Sequence, residues 1–417
     1  MTSRERLLAS IGHQEPDCVC VDFGSCAVTG VHVQTVGLLR DHYGLEPRPV
    51  KVCEPYQMLG EVEADLLECL GVDTVPLVGS SNIFGFRNEN WKPFTAPWGQ
   101  ELLVPQDFQT THDGNGDLLI FPQGDRDAPP SGRMPTSGFF FDAIIRQPPL
   151  DEDSLNPEDN LEEFTVMDDA AVNWYRTQAD RLRGSGRGVV AGVPGTAFGD
   201  IALVPAPFLK HPKGIRDIAE WYVSTAIRPD YVHAIFEKQC EVALQNLALV
   251  NDVAGDAIDV VFVCGTDFGT QTSQFCSTDV FESLYAPYYK RVNDWIHTHT
   301  AWKSFKHSCG AVYPFVDHFI ASGFDILNPV QCSATGMDPQ TLKDEFGDRV
   351  VFWGGGVDTQ KTLPFGTPEE VYREVRERID IFAPGGRFVF DAIHNVQANT
   401  PIENVAAMFK AVEDSRG

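Results

Sequence analysis

From about residue 167 onward, short apolar runs alternate with longer stretches whose apolar residues recur at helical spacing. The helical stretches cover 167–183, 215–226, 229–251, 278–300, 311–322, 339–346, 368–382 and 401–413. Between them lie strand-like runs at 188–193, 257–264, 303–310, 326–330, 350–353 and 387–390. Apolar strands alternating with amphipathic helices predict a parallel sheet covered by helices. With two more strands near residues 19 and 74 the count reaches about eight, the number that closes a (β/α)8 TIM barrel. An open doubly wound sheet is the alternative, but no Gly-x-Gly-x-x-Gly fingerprint opens the first unit.

The N-terminal part follows another rhythm. Thr2 and Glu5 are spaced as a capping box for a short helix ending near Gly12. Helical spacing returns at 31–43 and 55–70, and 72–77 is strand-like. From about 88 to 142, aromatics, prolines and turn pairs dominate. Asp113-Gly114 and Asn115-Gly116 between apolar runs predict a β-hairpin. This stretch is expected to be a β-rich insertion in one barrel domain spanning 1–417. It would cover an active site or form an oligomer contact, as in a homodimer. Its aromatic run Phe139-Phe-Phe141 suits the insertion's own core.

Charge narrows the partners. The formal net charge of −27 opposes nucleic acid and anionic membrane surfaces, which recruit Lys and Arg clusters. No apolar run approaches the roughly 20 residues of a membrane span. Ten scattered cysteines and an opening Met-Thr-Ser-Arg-Glu-Arg without an apolar core suit a reduced, cytoplasmic setting.

One stretch concentrates the chemistry. In Lys303-Ser-Phe-Lys-His-Ser-Cys-Gly310 a strand brings His307 and Cys309 to its carboxyl end. Residues two apart on a strand point the same way, so an imidazole and a thiol converge as half of a zinc site. A His-x-Cys pair alone is more often structural. Its place where barrel enzymes keep their chemistry favours metal. Asp267, after the strand at 257–264, and Asp358, after Gly354-Gly-Gly, fall on the same face. Each is a candidate catalytic group or a loop cap, and Gln271 shares that ambiguity.

Several motifs together resemble the uroporphyrinogen decarboxylase superfamily. They are Asp267-Phe-Gly-Thr-Gln271, His307-Ser-Cys-Gly310, Asn328-Pro-Val-Gln331, Gly336-Met-Asp-Pro339, Gly354-Gly-Gly-Val-Asp-Thr-Gln360, Gly366-Thr-Pro-Glu-Glu370, and His394 with Pro401-Ile-Glu-Asn404. Arg4-Glu-Arg-Leu-Leu-Ala9 and Glu15-Pro-Asp17 fit the superfamily's opening. The resemblance implies a (β/α)8 barrel, in agreement with the strand count. The porphyrin branch carries an Arg-rich carboxylate-gripping motif and an aspartate for the pyrrole nitrogens. Here those regions read Val21-Asp-Phe-Gly-Ser-Cys26 and Leu77-Val-Gly-Ser-Ser-Asn82, with no arginine.

The cobalamin-dependent methyltransferase branch has a zinc motif beginning His-x-Cys, which His307 and Cys309 match. That branch often takes its third ligand from a cysteine near the final Thr-Pro-x-Glu-Asn segment. No cysteine follows Cys332 here, so His394, Cys332 and Asp358 stand as candidates. The resemblance implies a zinc-containing enzyme that demethylates a small methylated compound, such as an aryl methyl ether. Asp267, Asp358 and His394 would be catalytic, and Gln271 and Gln331 would contact substrate. The chain lacks an Asp-x-His-x-x-Gly cobalamin motif, so the corrinoid is expected on a partner protein. The alternatives are methyl transfer from a methylcorrinoid to a thiol or folate, decarboxylation of another substrate, and a corrinoid-binding scaffold without activity.

Overall fold

Alternation along eight short strands sets the architecture of the computed structural model, which describes residues 1–416. The strands are β1 (Cys20–Val21), β2 (Thr74–Leu77), β3 (Gly188–Gly192), β4 (Val260–Cys264), β5 (Lys303–His307), β6 (Ile326–Asn328), β7 (Val351–Trp353) and β8 (Phe388–Phe390). All neighbours pair in parallel, in the order β1-β8-β7-β6-β5-β4-β3-β2. Asp73 joins the two ends of this sheet. Its N–H donates to the Val21 carbonyl at 2.7 Å, and its Oδ2 accepts the Val21 N–H at 2.9 Å. Arg6 and Arg416 neutralise this buried carboxylate. The ring is a (β/α)8 barrel, as the periodicity predicts.

Inward residues Cys20, Val190, Val260, Phe305, Ile326, Val351, Trp353 and Val389 form the lower barrel core. Outward residues pack under the helices, among them Asp169–Leu182, Pro229–Ala254, Ala286–His299, Pro368–Phe382 and Ile402–Ser415. The stretch expected as one helix over 278–300 contains a π-helical turn, Phe281–Tyr285. Pro287 follows it and lacks the N–H that a regular i→i−4 bond to residue 283 would need. No helix among the described residues is long and apolar enough to cross a membrane.

The N-terminal β-rich part is larger than the sequence suggests. One four-stranded sheet joins Leu59–Gly60, Val50–Glu54, Glu101–Val104 and Lys92–Thr95. The other joins Asp142–Ala143, Gly132–Met134, Leu118–Ile120 and Thr110–His112. The helix expected over 55–70 therefore shrinks to Ala64–Cys69. Residues before it form a hairpin that turns through Met58 at φ 53°, and β-pairing prevails over helical spacing there. The Asp113–Gly116 turn links two paired strands as expected. Phe141 is buried with Phe84 and Phe108, whereas Phe140 is exposed.

One layer above the lower core, two carboxylates meet. Cys20 pairs with Val389 and Val21 with Phe390, so Asp22 and Asp391 are neighbours on the inward face. Asp22 accepts from Thr74 Oγ1 (2.6 Å), Ser25 Oγ (2.8 Å), Trp353 Nε1 (2.9 Å) and Ser25 N (3.1 Å). Asp391 Oδ2 is buried and has no hydrogen-bond partner among the described residues. Burial, reinforced by Asp22, pushes the Asp391 carboxyl well above the usual range, so it retains its proton.

A raised native pKa means that the folded state holds more protons than the unfolded state above the ordinary carboxyl range. Stability is then lost as pH rises through that window. Asp391→Asn keeps the shape and removes the titration. It should raise the thermal midpoint at neutral pH and flatten the fall in stability as pH rises above the ordinary carboxylate range. Calorimetry across that range checks this; an unchanged pH slope would place the proton elsewhere.

Candidate metal centre at the barrel mouth

His307 is the last residue of β5 and points inward, continuing the alternation from Phe305. The strand stops there, and Ser308 N–H still bonds the Asn328 carbonyl of β6 at 2.7 Å. Cys309 follows on the same side, and its N–H is held by Asp267 Oδ1 at 2.7 Å. Gly310 then turns the chain at φ 89°. A Cβ there would lie 2.4 Å from the Gly269 carbonyl carbon, so only glycine lets the two loops pass. Cys309 Sγ lies 3.3 Å from His307 Nε2. The pair converges as the strand geometry requires.

A chain of hydrogen bonds fixes the His307 tautomer. Asn328 Nδ2 donates to the Trp353 carbonyl at 2.9 Å, which turns Oδ1 toward His307. Nδ1–H of His307 donates to that oxygen at 2.6 Å, leaving the Nε2 lone pair facing Cys309. Burial pushes His307 down to about 3, with Lys306 adding to the effect and Asn328 opposing it. The ring is neutral and ready to bind a metal.

His394, on the loop after β8, completes the cluster. Ligand atoms of His307, Cys309 and His394 all lie within 4.8 Å of one another. The two imidazoles meet edge to face with centroids 5.3 Å apart. Burial, and secondarily His307, pushes His394 down to about 4. Its Nδ1 accepts the Asn395 N–H at 2.8 Å, so the neutral ring carries its proton on Nε2. Asn395 is clamped by the Gly30 N–H (2.7 Å) and by Gln57 Oε1 (2.8 Å). The N-terminal segments thus position the third candidate ligand. His307 is preset for a metal at Nε2; His394 must first move a proton.

The other expected site residues divide. Asp267 adjoins the cluster, 3.9 Å from His307 Nε2, and burial raises its carboxyl. Gln331 accepts the Gly310 N–H at 2.7 Å and donates to Gln271 Oε1 at 2.9 Å, so the two glutamines brace the Cys309 loop. Asp358 turns away from the mouth. Its Oδ1 accepts the N–H groups of Gln360 and Lys361, and it lines a groove of about 660 Å³ with Arg373, Glu374 and Arg378. Cys332 also stands apart from the metal cluster. Its thiol donates to the Val330 carbonyl at 3.4 Å, and its charged neighbours are Arg378 and Glu374.

Sequence reasoning gave no individual role to Asn328 or Lys306. Lys306 points outward from β5 into a cage of Phe268, Phe319 and Tyr289, with Nζ 5.1–5.7 Å from their ring centroids. It donates to the carbonyls of Thr266 and His307 and ties β5 to the loop carrying Asp267. A lysine between Phe305 and His307 in a buried strand was the available signal.

The cluster has the donor set of a three-ligand zinc site: two neutral imidazoles and one thiol at the open end of a barrel. Ligand atoms around one tetrahedral zinc lie roughly 3.3–3.8 Å apart, given bonds of about 2.0–2.3 Å. The Cys309–His307 separation already meets that requirement. His394 needs a small approach and a shift of its ring proton, and burial keeps both imidazoles neutral.

Comparison with known proteins agrees with this architecture. A solved structure described as a methyltransferase from Methanosarcina mazei superposes with a TM-score of 0.54 at 16% identity, covering 99% of each chain. A hyperthermophilic β-glucosidase mutant gives a TM-score of 0.31 at 11% identity, covering 84% of this chain and 75% of that one. That second likeness is too low to carry weight. No sequence match was found among curated proteins. The family model for uroporphyrinogen decarboxylase (URO-D) matches residues 207–415, half of the chain, which includes β4 to β8 and every residue of the metal cluster. The chain belongs to the uroporphyrinogen decarboxylase (URO-D) family.

Proposed function

We propose that this protein is a corrinoid-dependent methyltransferase, in which His307, Cys309 and His394 hold zinc and a small methylated substrate is demethylated at the barrel mouth. The observation that carries this reading is the convergence of these three ligand atoms within 4.8 Å at the carboxyl ends of the strands. Three protein ligands leave one tetrahedral position for substrate, the pattern of catalytic zinc. The fold shared with a structure described as a methyltransferase is consistent with it. Porphyrin decarboxylation is a poorer reading, because the loop after β1 offers no arginine to grip a substrate with many carboxylates.

When bound, zinc supplies a Lewis acid for the oxygen that parts from the methyl group. The chain's own residues prepare that position. Asn328 keeps the His307 Nε2 lone pair free, and Asp267 holds the Cys309 backbone in place. Gln331 and Gln271 brace the turn at Gly310. The methyl acceptor is a cobalt(I) corrinoid presented by a partner protein.

Zinc loading should be strongly pH-dependent. Both imidazoles are neutral above about pH 4, whereas burial holds the Cys309 thiol protonated. One thiol proton must therefore leave for each zinc bound. Affinity should rise about tenfold per pH unit between about pH 5.5 and pH 7.5. Competition titrations, with calorimetry in two buffers of different ionisation heat, measure this; a flat profile would exclude thiolate ligation.

The function itself is tested by a methyl-donor screen with cobalt(I) corrinoid, watching for the spectrum of the methylated corrinoid. Cys309→Ser should abolish the signal. Asn328→Ala should weaken zinc binding by about 10–100-fold, and Cys332→Ser should leave both readouts unchanged. No transfer from any donor to the zinc-loaded protein would overturn the assignment.

A further inference from the structure

Of the three candidate ligands, His394 stands farthest from a strand end. His307 closes β5 and Cys309 comes two residues later, whereas His394 is four residues beyond Phe390, where β8 stops. Its loop is laid against an N-terminal segment instead. Val396 N–H donates to the Gly30 carbonyl at 3.1 Å, and His32 N–H donates to the Val396 carbonyl at 2.9 Å. The side chain of Asn395, 1% exposed, adds two bonds that fix its own orientation. The Gly30 N–H can only donate, so the Asn395 atom facing it is Oδ1. Nδ2 then faces Gln57, whose Oε1 must accept.

Gln57 lies in the turn between Val50–Glu54 and Leu59–Gly60, the first hairpin of the β-rich part. Glu54 holds that turn together. Its two carboxylate oxygens accept the Tyr56 N–H and the Gln57 N–H, each at 2.8 Å. Met58 follows at φ 53°, and its carbonyl accepts the Val33 N–H at 2.9 Å. On the other side, the Tyr56 carbonyl accepts the Phe141 N–H at 2.8 Å. The turn is therefore held between the rest of the β-rich part and the segment that carries the His394 loop. Residues 207–415, which the family model matches, include all three candidate ligands but none of this support.

Resting on the zinc reading above, we propose that Gln57 and Glu54 are positioning residues for the metal centre, and that this hairpin serves to hold His394 within coordinating range. The path from one to the other is continuous. Glu54 orders the turn, the turn presents Gln57 Oε1, and Gln57 fixes the Asn395 side chain. The Asn395 N–H then meets His394 Nδ1 at 2.8 Å. Gln57 acts on the centre through Asn395. Without the Gln57 acceptor, the buried Asn395 Nδ2 is left with an unpaired N–H, which costs about as much as a lost hydrogen bond. Asn395 regains a partner only by turning, and its neighbour His394 moves with it.

Zinc affinity by chelator competition, with zinc-edge X-ray absorption, tests this on the full chain without methyl donor or corrinoid. Burial raises the Glu54 carboxyl to about 7, so the measurements are made at about pH 8, where it is ionised. Gln57→Leu should weaken zinc binding about tenfold and reduce the imidazole shell from two nitrogens to one. Gln57→Glu keeps the acceptor oxygen and should restore both. Glu54→Gln offers one amide oxygen to two N–H donors and should fall between; it carries the comparison if Gln57→Leu does not fold. Gln100→Leu breaks another side-chain bond from the β-rich part, to the Val33 carbonyl, and should leave zinc binding unchanged. In a His394→Ala background, Gln57→Leu should have no further effect. An equal loss with and without His394 would overturn the proposal, because Gln57 would then act through general stability. Zinc held by two imidazoles at full affinity in Gln57→Leu would overturn it too, and leave the zinc reading standing. An unaltered chain that binds no zinc would overturn both. Loss of affinity through His394, without methyl transfer from any donor, would uphold the positioning role and overturn the methyltransferase.

Discussion

A hydrogen bond between two buried side chains, His307 Nδ1–H to Asn328 Oδ1, governs what the barrel mouth can do. At 2.6 Å it selects one tautomer of a ring that burial already keeps neutral. The orientation of Asn328 comes in turn from the Trp353 carbonyl of β7. Trp353 also reaches through its indole to Asp22 on the first strand. The His307 ring is therefore positioned by three neighbouring strands, with Asp22 holding the Trp353 indole. Such support from surrounding groups is what turns an imidazole into a directed metal ligand.

Charge within the site follows the same economy. Asp22 is surrounded by donors and is the better placed of its pair to be ionised, while Asp391 beside it keeps its proton. Lys306 lies caged on the outer face of β5, and Asp267 accepts the Cys309 backbone N–H. Buried charges in this region are thus held by hydrogen bonds and aromatic faces, which satisfies them without filling the space near Cys309.

Much of this was legible in the sequence, for physical reasons. Short apolar runs set between stretches of helical spacing located all eight barrel strands, because strands buried on both faces read as continuous apolar runs and amphipathic helices do not. The same alternation gave the convergence of His307 and Cys309. The third ligand was harder: His394, Cys332 and Asp358 all follow strand ends, and spacing along the chain cannot say which loop bends inward. Asn395, fixed by Gly30 and Gln57 from distant segments, turns its neighbour His394 to the cluster. Cys332 and Asp358 instead face the helix Pro368–Phe382. The region at 55–70 misled because its helical spacing includes a hairpin paired with sequence-distant strands.

The most direct test of the account is X-ray absorption at the zinc edge of the metal-loaded protein. The account predicts one sulfur at about 2.3 Å and two imidazole nitrogens at about 2.0–2.1 Å, with a fourth light atom from solvent or substrate. Cys309→Ser should remove the sulfur shell, and Cys332→Ser should not. A two-sulfur spectrum, or a sulfur shell that survives in Cys309→Ser, would contradict the ligand set on which the function rests.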